Sequence, residues 1–264
     1  MTILEKINQH KREEVFTSKS ITSVDELRSS KYFDRKCNSL KASLMAEGSS
    51  GIIAEFKRKS PSKGEINPNV DVEEVTAGYA LSGAAGVSVL TDKAFFGGSK
   101  NDLIKARGKN PDLPLLRKDF MIDPYQVCEA KAWGADVILL IAASLTPEKI
   151  NELGAKAHEL GMEVLLEVHN EEELTSSPMD YVDIVGVNNR NLKNFNESNF
   201  KASLDLSSLI PADKVKISES CINDPSVIKD LRKSGYQGFL IGESFMKTKD
   251  PAAALSTYII ESKG

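Results

Sequence analysis

Short apolar runs alternate with longer amphipathic segments along the whole 264-residue chain. The runs cover residues 51–56, 86–90, 113–116, 137–141, 162–168, 184–187, 215–218 and 239–242. Each is rich in Val, Ile and Leu and short enough to be a buried strand. Most are separated by helical patterns, clearest over 71–81, 101–109, 124–133, 147–160 and 225–234. Pro124, Pro147 and Pro225 each follow Asp or Thr, which predicts an N-cap with proline at the first helical position. Gly134, Gly161 and Gly235 stand where those helices should stop. About eight βα units in one chain of this size predict a (β/α)8 TIM barrel. An open doubly wound sheet is the alternative, but no G-x-G-x-x-G turn follows any run. Residues 1–48 precede the first strand and carry helically spaced apolar points at Ile3, Leu4, Ile7, Val15, Leu27, Leu40 and Leu44. They are expected to form an N-terminal helical extension packed on a barrel of residues 49–264, the whole being one domain.

Composition narrows the class. The formal net charge of -4 and pI near 5.6 argue against broad nucleic-acid binding. Cys37, Cys128 and Cys221 give neither a disulfide framework nor zinc spacing. The N-terminus lacks the apolar core of a signal peptide, and no run approaches the ~20 residues of a membrane span. A cytoplasmic enzyme without membrane contact is expected, with a monomer favoured.

The chemistry gathers where the runs end. In βα barrels active sites lie at the carboxyl ends of the strands. The first run ends in Glu55 and Lys57, which period-two alternation places on one face, with Phe56 on the other. A loop containing Ser60, Ser62 and Gly64 follows and is suited to an anion. The third run ends in Arg117-Lys118-Asp119-Phe120, the fifth in Glu167-Val168-His169, the sixth in Asn188-Asn189-Arg190, the seventh in Glu219-Ser220 and the eighth in Gly242-Glu243-Ser244. Six of eight ends thus carry Lys, Arg, Glu or Asn, and the amino ends carry fewer. That asymmetry favours an enzyme.

Each residue also has a plainer role. Glu55 and Lys57 would make an ion pair at a barrel rim; Lys118 would serve as a solvated loop lysine, although Arg117 and Asp119 alternate away from it. Glu167 would be an ordinary strand-end carboxylate, and Glu219 an ion-pair partner in the barrel. His169, beyond Glu167, is expected to be structural or at the surface. Phe95, Phe96 and Phe120 fit loop packing or the wall of an aromatic substrate site. Glu171, Glu172 and Glu173 suit a helix start. The loops after the seventh and eighth strands are the usual phosphate site of such barrels. Here they hold Ser220 and Gly242-Glu243-Ser244, with a short helix expected to open there and present backbone N–H groups to the anion.

With these motifs in order along the chain, the sequence resembles the indole-3-glycerol-phosphate synthase family. The resemblance rests on 53–62, on 88–92 through 95–99, on Leu116 to Phe120, on Leu166 to His169, on Gly186 to Leu192, on Ser218 to Ser220 and on Leu240 to Ser244. It implies a TIM barrel with a helical extension, no metal and no organic cofactor. It implies ring closure of 1-(2-carboxyphenylamino)-1-deoxyribulose 5-phosphate, a phosphosugar joined to anthranilate, with loss of carbon dioxide and water. Lys118 would be the acid at the ketone, and Lys57 the acid for dehydration with Glu55 or Glu167 as base. Asn188 and Ser220 would hold substrate hydroxyls, and Arg190 and Lys57 the anthranilate carboxylate. Ser60 and the backbone of Gly242 and Glu243 would take the phosphate, with Phe96, Phe120 and Glu219 completing the substrate site. One departure stands out: the family usually has glycine where this chain has Cys221. The rival readings are another phosphosugar isomerase or aldolase, and a phosphosugar-binding barrel without turnover. A lid over 60–69 is expected from its Gly and Pro punctuation.

Overall fold

The computed structural model describes residues 2–61, 64–190 and 200–263. Eight parallel strands close a barrel: β1 (Ile52–Phe56), β2 (Gly86–Leu90), β3 (Leu115–Lys118), β4 (Val137–Ile141), β5 (Glu163–Val168), β6 (Ile184–Asn188), β7 (Val215–Glu219) and β8 (Gly238–Ile241). Each pairs with its neighbours in sequence, and β1 closes on β8 with Ile53 opposite Leu240. Helices return between the strands, so the fold is the (β/α)8 TIM barrel expected from the alternation.

Alternation sorts each strand into two layers. Ile52, Ala54 and Phe56 face outward with Val87, Leu115, Ile138, Val164, Val185 and Phe239, against the helices. Ile53, Leu116, Leu139, Leu165, Ile184, Ile217 and Leu240 fill the interior. Two residues further along the same faces come Glu55, Lys118, Glu167, Gly186, Glu219 and Gly242. The interior is therefore apolar at mid-height and polar at its carboxyl-end mouth, because each strand keeps its pleat across that boundary.

The helical extension runs from the mouth to the base. Helix α1 (Ile3–Ile21) starts with a capping box between Thr2 and Glu5. Its buried stripe is Ile7, Lys11 and Val15. After α2 (Val24–Arg28), α3 (Leu40–Met45) places Leu40 and Leu44 among the interior residues of the barrel. Glu163, at the start of β5, accepts the N–H groups of Leu40 and Lys41 at 2.9 and 3.0 Å, which fixes α3 across the base.

The structure revises some details. β3 starts at Leu115, just beyond Pro114, not at 113. Pro124 and Pro147 occupy first-turn positions as expected, whereas Pro225 is itself the N-cap residue and Asp224 caps the N–H of Ser226 at 2.8 Å. A short hairpin, Lys59–Ser60 with Gly64–Glu65, and a C-terminal helix, Pro251–Lys263, add to the expected elements. Ser62 and Lys63, and the motif residues Asn191 and Leu192, lie outside the described residues.

Candidate active site

The mouth holds two linked charge clusters. Lys118 Nζ lies 3.0 Å from Glu167 Oε2 and 2.7 Å from Glu219 Oε2, so strands β3, β5 and β7 meet at one ammonium. At the end of β1, Lys57 pairs with Glu55. Glu55, Glu167 and Glu219 are all nearly buried. Two glycines make this possible. A Cβ on Gly186 would lie 2.2 Å from Glu219 Oε1, and one on Gly242 would lie 2.7 Å from Glu55 Oε1. Each glycine leaves the volume that a carboxylate occupies.

Burial and mutual charge set the protonation states. Burial by itself would depress the Lys118 ammonium, but Glu167, Glu219 and Glu55 outweigh it and hold the pKa well above the ordinary lysine value. Glu167 is likewise opposed by burial, yet Lys118 and His169 pull its carboxyl below the usual range. Glu219 goes the other way: burial, with Glu167 and Glu55 nearby, pushes it up to about 7. Two carboxylates on one lysine are thus driven apart, the arrangement that separates acid from base roles.

Around the cluster stand the other expected residues. Asn188 ends β6 and accepts the Arg190 N–H at 3.0 Å. The Arg190 guanidinium reaches 3.7 Å from Glu243 at the opening of the short helix Glu243–Met246, which follows Gly242 directly. Ser60 is buried at the first strand of the hairpin. The Phe96 and Phe120 rings lie 6.0 Å apart. Phe95 instead packs edge-on against His10 of α1, so it joins the loop to the extension. The stem of the 60–69 loop is anchored: Arg58 pairs with Asp102 at 2.8 Å, and Asn67 donates to the carbonyls of Met246 and Thr248. His169, expected to be structural or at the surface, has its Nε2 3.7 Å from Glu167 Oε1 and its Nδ1 3.1 Å from Glu173 Oε2.

The Cys221 position is telling. Ser220 and Cys221 have φ of +65° and +59°, the left-handed region that favours glycine. The turn after β7 therefore keeps a glycine-type backbone with a side chain on it. Asn189 holds this turn from beside Asn188: its amide donates to Ser218 Oγ at 2.9 Å, the Glu219 carbonyl at 3.0 Å and the Ser220 carbonyl at 3.3 Å.

Sequence reasoning also missed a second buried cluster. Lys11 of α1 is fully buried and lies 3.1 Å from Asp92 and 2.9 Å from Asp119, just beyond β2 and β3. Asp92 accepts the N–H groups of Phe95 and Phe96, and Asp119 pairs with Arg117 at 3.0 Å. Thus α1 is tied to the loop carrying Phe96 and to the strand carrying Lys118. The signal was present, since Lys11 stands between Ile7 and Val15 on the apolar stripe of the helix.

Proton donors and acceptors converging above a closed βα barrel, with a helix opening directly after β8, define a barrel enzyme of acid–base chemistry. The sequence profile described as indole-3-glycerol phosphate synthase matches residues 4–258. The indole-3-glycerol phosphate synthase of Bacteroides thetaiotaomicron is 47% identical over 257 residues, covering 97% of each chain. That of Bordetella pertussis is 42% identical over 260 residues, covering 97% of this chain and 98% of its own. Among solved structures, 3-hexulose-6-phosphate synthase from Salmonella typhimurium superposes with a TM-score of 0.63 at 12% identity, over 80% of this chain and 99% of its own, a likeness of fold. The chain belongs to the indole-3-glycerol phosphate synthase family, enzymes that close a ring with decarboxylation in tryptophan biosynthesis.

Proposed function

We propose that this chain converts 1-(2-carboxyphenylamino)-1-deoxyribulose 5-phosphate to indole-3-glycerol phosphate, carbon dioxide and water. The observation that carries the residue assignment is the Lys118 ammonium, suspended between Glu167 and Glu219 at the mouth and facing the Glu55–Lys57 pair. Ring closure needs the ketone made electrophilic, and a fixed ammonium donating to its oxygen does this. The ring carbon bearing the carboxylate attacks, and the new hydroxyl takes the Lys118 proton. Carbon dioxide then leaves, and the electron pair of the broken bond returns to the ring. Loss of the hydroxyl as water needs one proton given and one removed. Lys57 as donor and Glu55 as acceptor suit this step, being held together at the end of one strand.

The substrate contacts follow from position. Asn188 and Ser220 take hydroxyl groups of the sugar, and Arg190 with Lys57 takes the anthranilate carboxylate. Phe96 and Phe120 flank the ring. The phosphate sits at Ser60 and the backbone of Gly242 and Glu243, where a helix opens and its first N–H groups have no partner within the helix. We take residues 1–264 as one folding unit, working in the cytoplasm as a monomer without nucleic acid, metal or organic cofactor. No helix among the described residues is long and apolar enough to cross a membrane.

Indole fluorescence on mixing the chain with the anthranilate-linked substrate tests the assignment. Wild type should give a rise. Lys118→Met should lower kcat by roughly 10²–10⁴-fold, the usual contribution of a positioned acid, while still binding a product analogue. An unchanged rate in that variant would remove Lys118 from the chemistry. A wild-type chain that binds but never turns over would leave a phosphosugar-binding barrel.

A further inference from the structure

His169 stands between two carboxylates. On one side its Nδ1 lies 3.1 Å from Glu173 Oε2, and on the other its Nε2 lies 3.7 Å from Glu167 Oε1. The clamp is built into the start of the helix Glu171–Ser176. Asn170 caps that helix by accepting the Glu173 N–H at 2.9 Å, and its amide donates back to Glu173 Oε1 at 2.9 Å. Glu173 Oε2 also accepts the His169 backbone N–H at 2.8 Å. Both oxygens of Glu173 are therefore engaged, and the ring is fixed with its far nitrogen toward Glu167.

The charged groups facing the imidazole are Glu167, Glu173 and, further off, Glu219; Lys118 is the opposing cation, on the other side of Glu167. A neutral imidazole donates from one nitrogen only and satisfies one of its two flanking carboxylates. An imidazolium carries a proton on each nitrogen and turns positive charge to both. Burial works against the cation, but Glu173, Glu167 and Glu219 outweigh it and raise the ring above the ordinary histidine value.

We propose that His169, clamped by Glu173, is a positioning residue for Glu167: its positive ring, 3.7 Å from Oε1, steadies the carboxylate with Oε2 turned to Lys118. This rests on Lys118 being the acid at the ketone. An ammonium between two carboxylates has two ways to lose its proton, to the substrate or sideways to a neighbouring glutamate. A cation behind Glu167 makes that glutamate a poor proton acceptor, which closes the sideways route from Lys118 to Glu167. Glu167 then works as a fixed negative charge.

The test combines two variants with two readouts. The chain has only three histidines, so ring resonances of His10, His158 and His169 can be followed separately by NMR. The His169 titration midpoint should fall in Glu173→Gln and also in Glu167→Gln, relative to wild type. In kinetics, His169→Asn should lower kcat roughly tenfold with KM within about twofold, on the scale of lost support behind a reacting group. The acid limb of its kcat profile should move up by about one to three pH units, as for a carboxylate that loses a neighbouring cation. Glu173→Gln should fall further behind wild type as the pH rises, because a ring that has lost Glu173 gives up its charge at a lower pH than the wild-type ring. A loss by the same factor at every pH, or a His169 midpoint indifferent to Glu167→Gln, would overturn the proposal. If wild type gives no indole product, the functional assignment fails by itself, while the NMR arm still decides whether His169 and Glu167 are coupled.

Discussion

At the scale of single residues, the site depends on volumes as much as on charges. Gly186 is the clearest case: any side chain there would displace Glu219 and with it one of the two partners of Lys118. Gly186→Ala should leave a folded barrel by circular dichroism and lower kcat by at least about tenfold, because proton transfer is sensitive to ångström-scale misplacement. Cys221 is the converse, a side chain where the backbone favours none. The left-handed conformation costs a non-glycine residue roughly 1–2 kcal/mol. Cys221→Gly should therefore raise stability by about 1 kcal/mol in urea unfolding, less the extra chain entropy of glycine in the unfolded state, and Cys221→Val should lower it. The inward glutamates and lysines were legible in the sequence because each lies two residues beyond an inward apolar residue. The partnership of His169 with Glu167 was not, since alternation puts residues 167 and 169 on one side but does not say whether a loop residue turns back.

Among the elements, strands were the easiest to read and their margins the least. Short Val-, Ile- and Leu-rich runs located all eight, while β3 moved two residues because Pro114 delays its start. The hairpin of the first loop is polar and two residues wide, which gives hydrophobic patterning nothing to register. The C-terminal helix carries the same Asp-Pro start signal at Asp250 and Pro251 that marks Asp123 and Pro124, with Asp250 capping the Ala253 N–H at 3.0 Å. Helix α1 bears the main energetic prediction at this scale. Lys11→Met would leave Asp92 and Asp119 buried without their ammonium, at a cost of about 3–5 kcal/mol for a broken buried pair. The effect should depend on pH. Burial opposes ionisation of Asp119, but Lys11 and Arg117 overcome it and hold its pKa below the ordinary 3.8. A depressed carboxylate contributes stability that is present above its unfolded pKa and is lost as the pH falls through the folded one. The gap between wild type and Lys11→Met in urea should thus be full at pH 7 and shrink below about pH 4. A gap that is constant from pH 7 to pH 3 would assign the loss to packing alone.

For the molecule as a whole, the fold class followed from counting βα units, and the location of the site followed from the direction in which the charges lie. What counting could not supply was how the extension is attached, because attachment is a matter of long-range pairing. It proves to be double: α3 seals the base through Leu40 and Leu44, while α1 reaches the mouth through Lys11. The proposed monomer is checked by light scattering, which should report a mass near the 28.9 kDa of one chain; a mass of twice that would refute it.

The closure of β1 on β8 has a consequence for how the protein is made. Ile52 emerges from the ribosome well before its partner Phe239, with six strands translated between them. Lys11 is translated earlier still and must wait for Asp92 and Asp119. The growing chain therefore carries an ammonium destined for burial until the loops after β2 and β3 are made, and a strand edge open to any stray pairing until β8 is added. Closure of the barrel is bound to translation of β8, and ribosomes stalled before it should display nascent chains that chaperones hold and proteases cut.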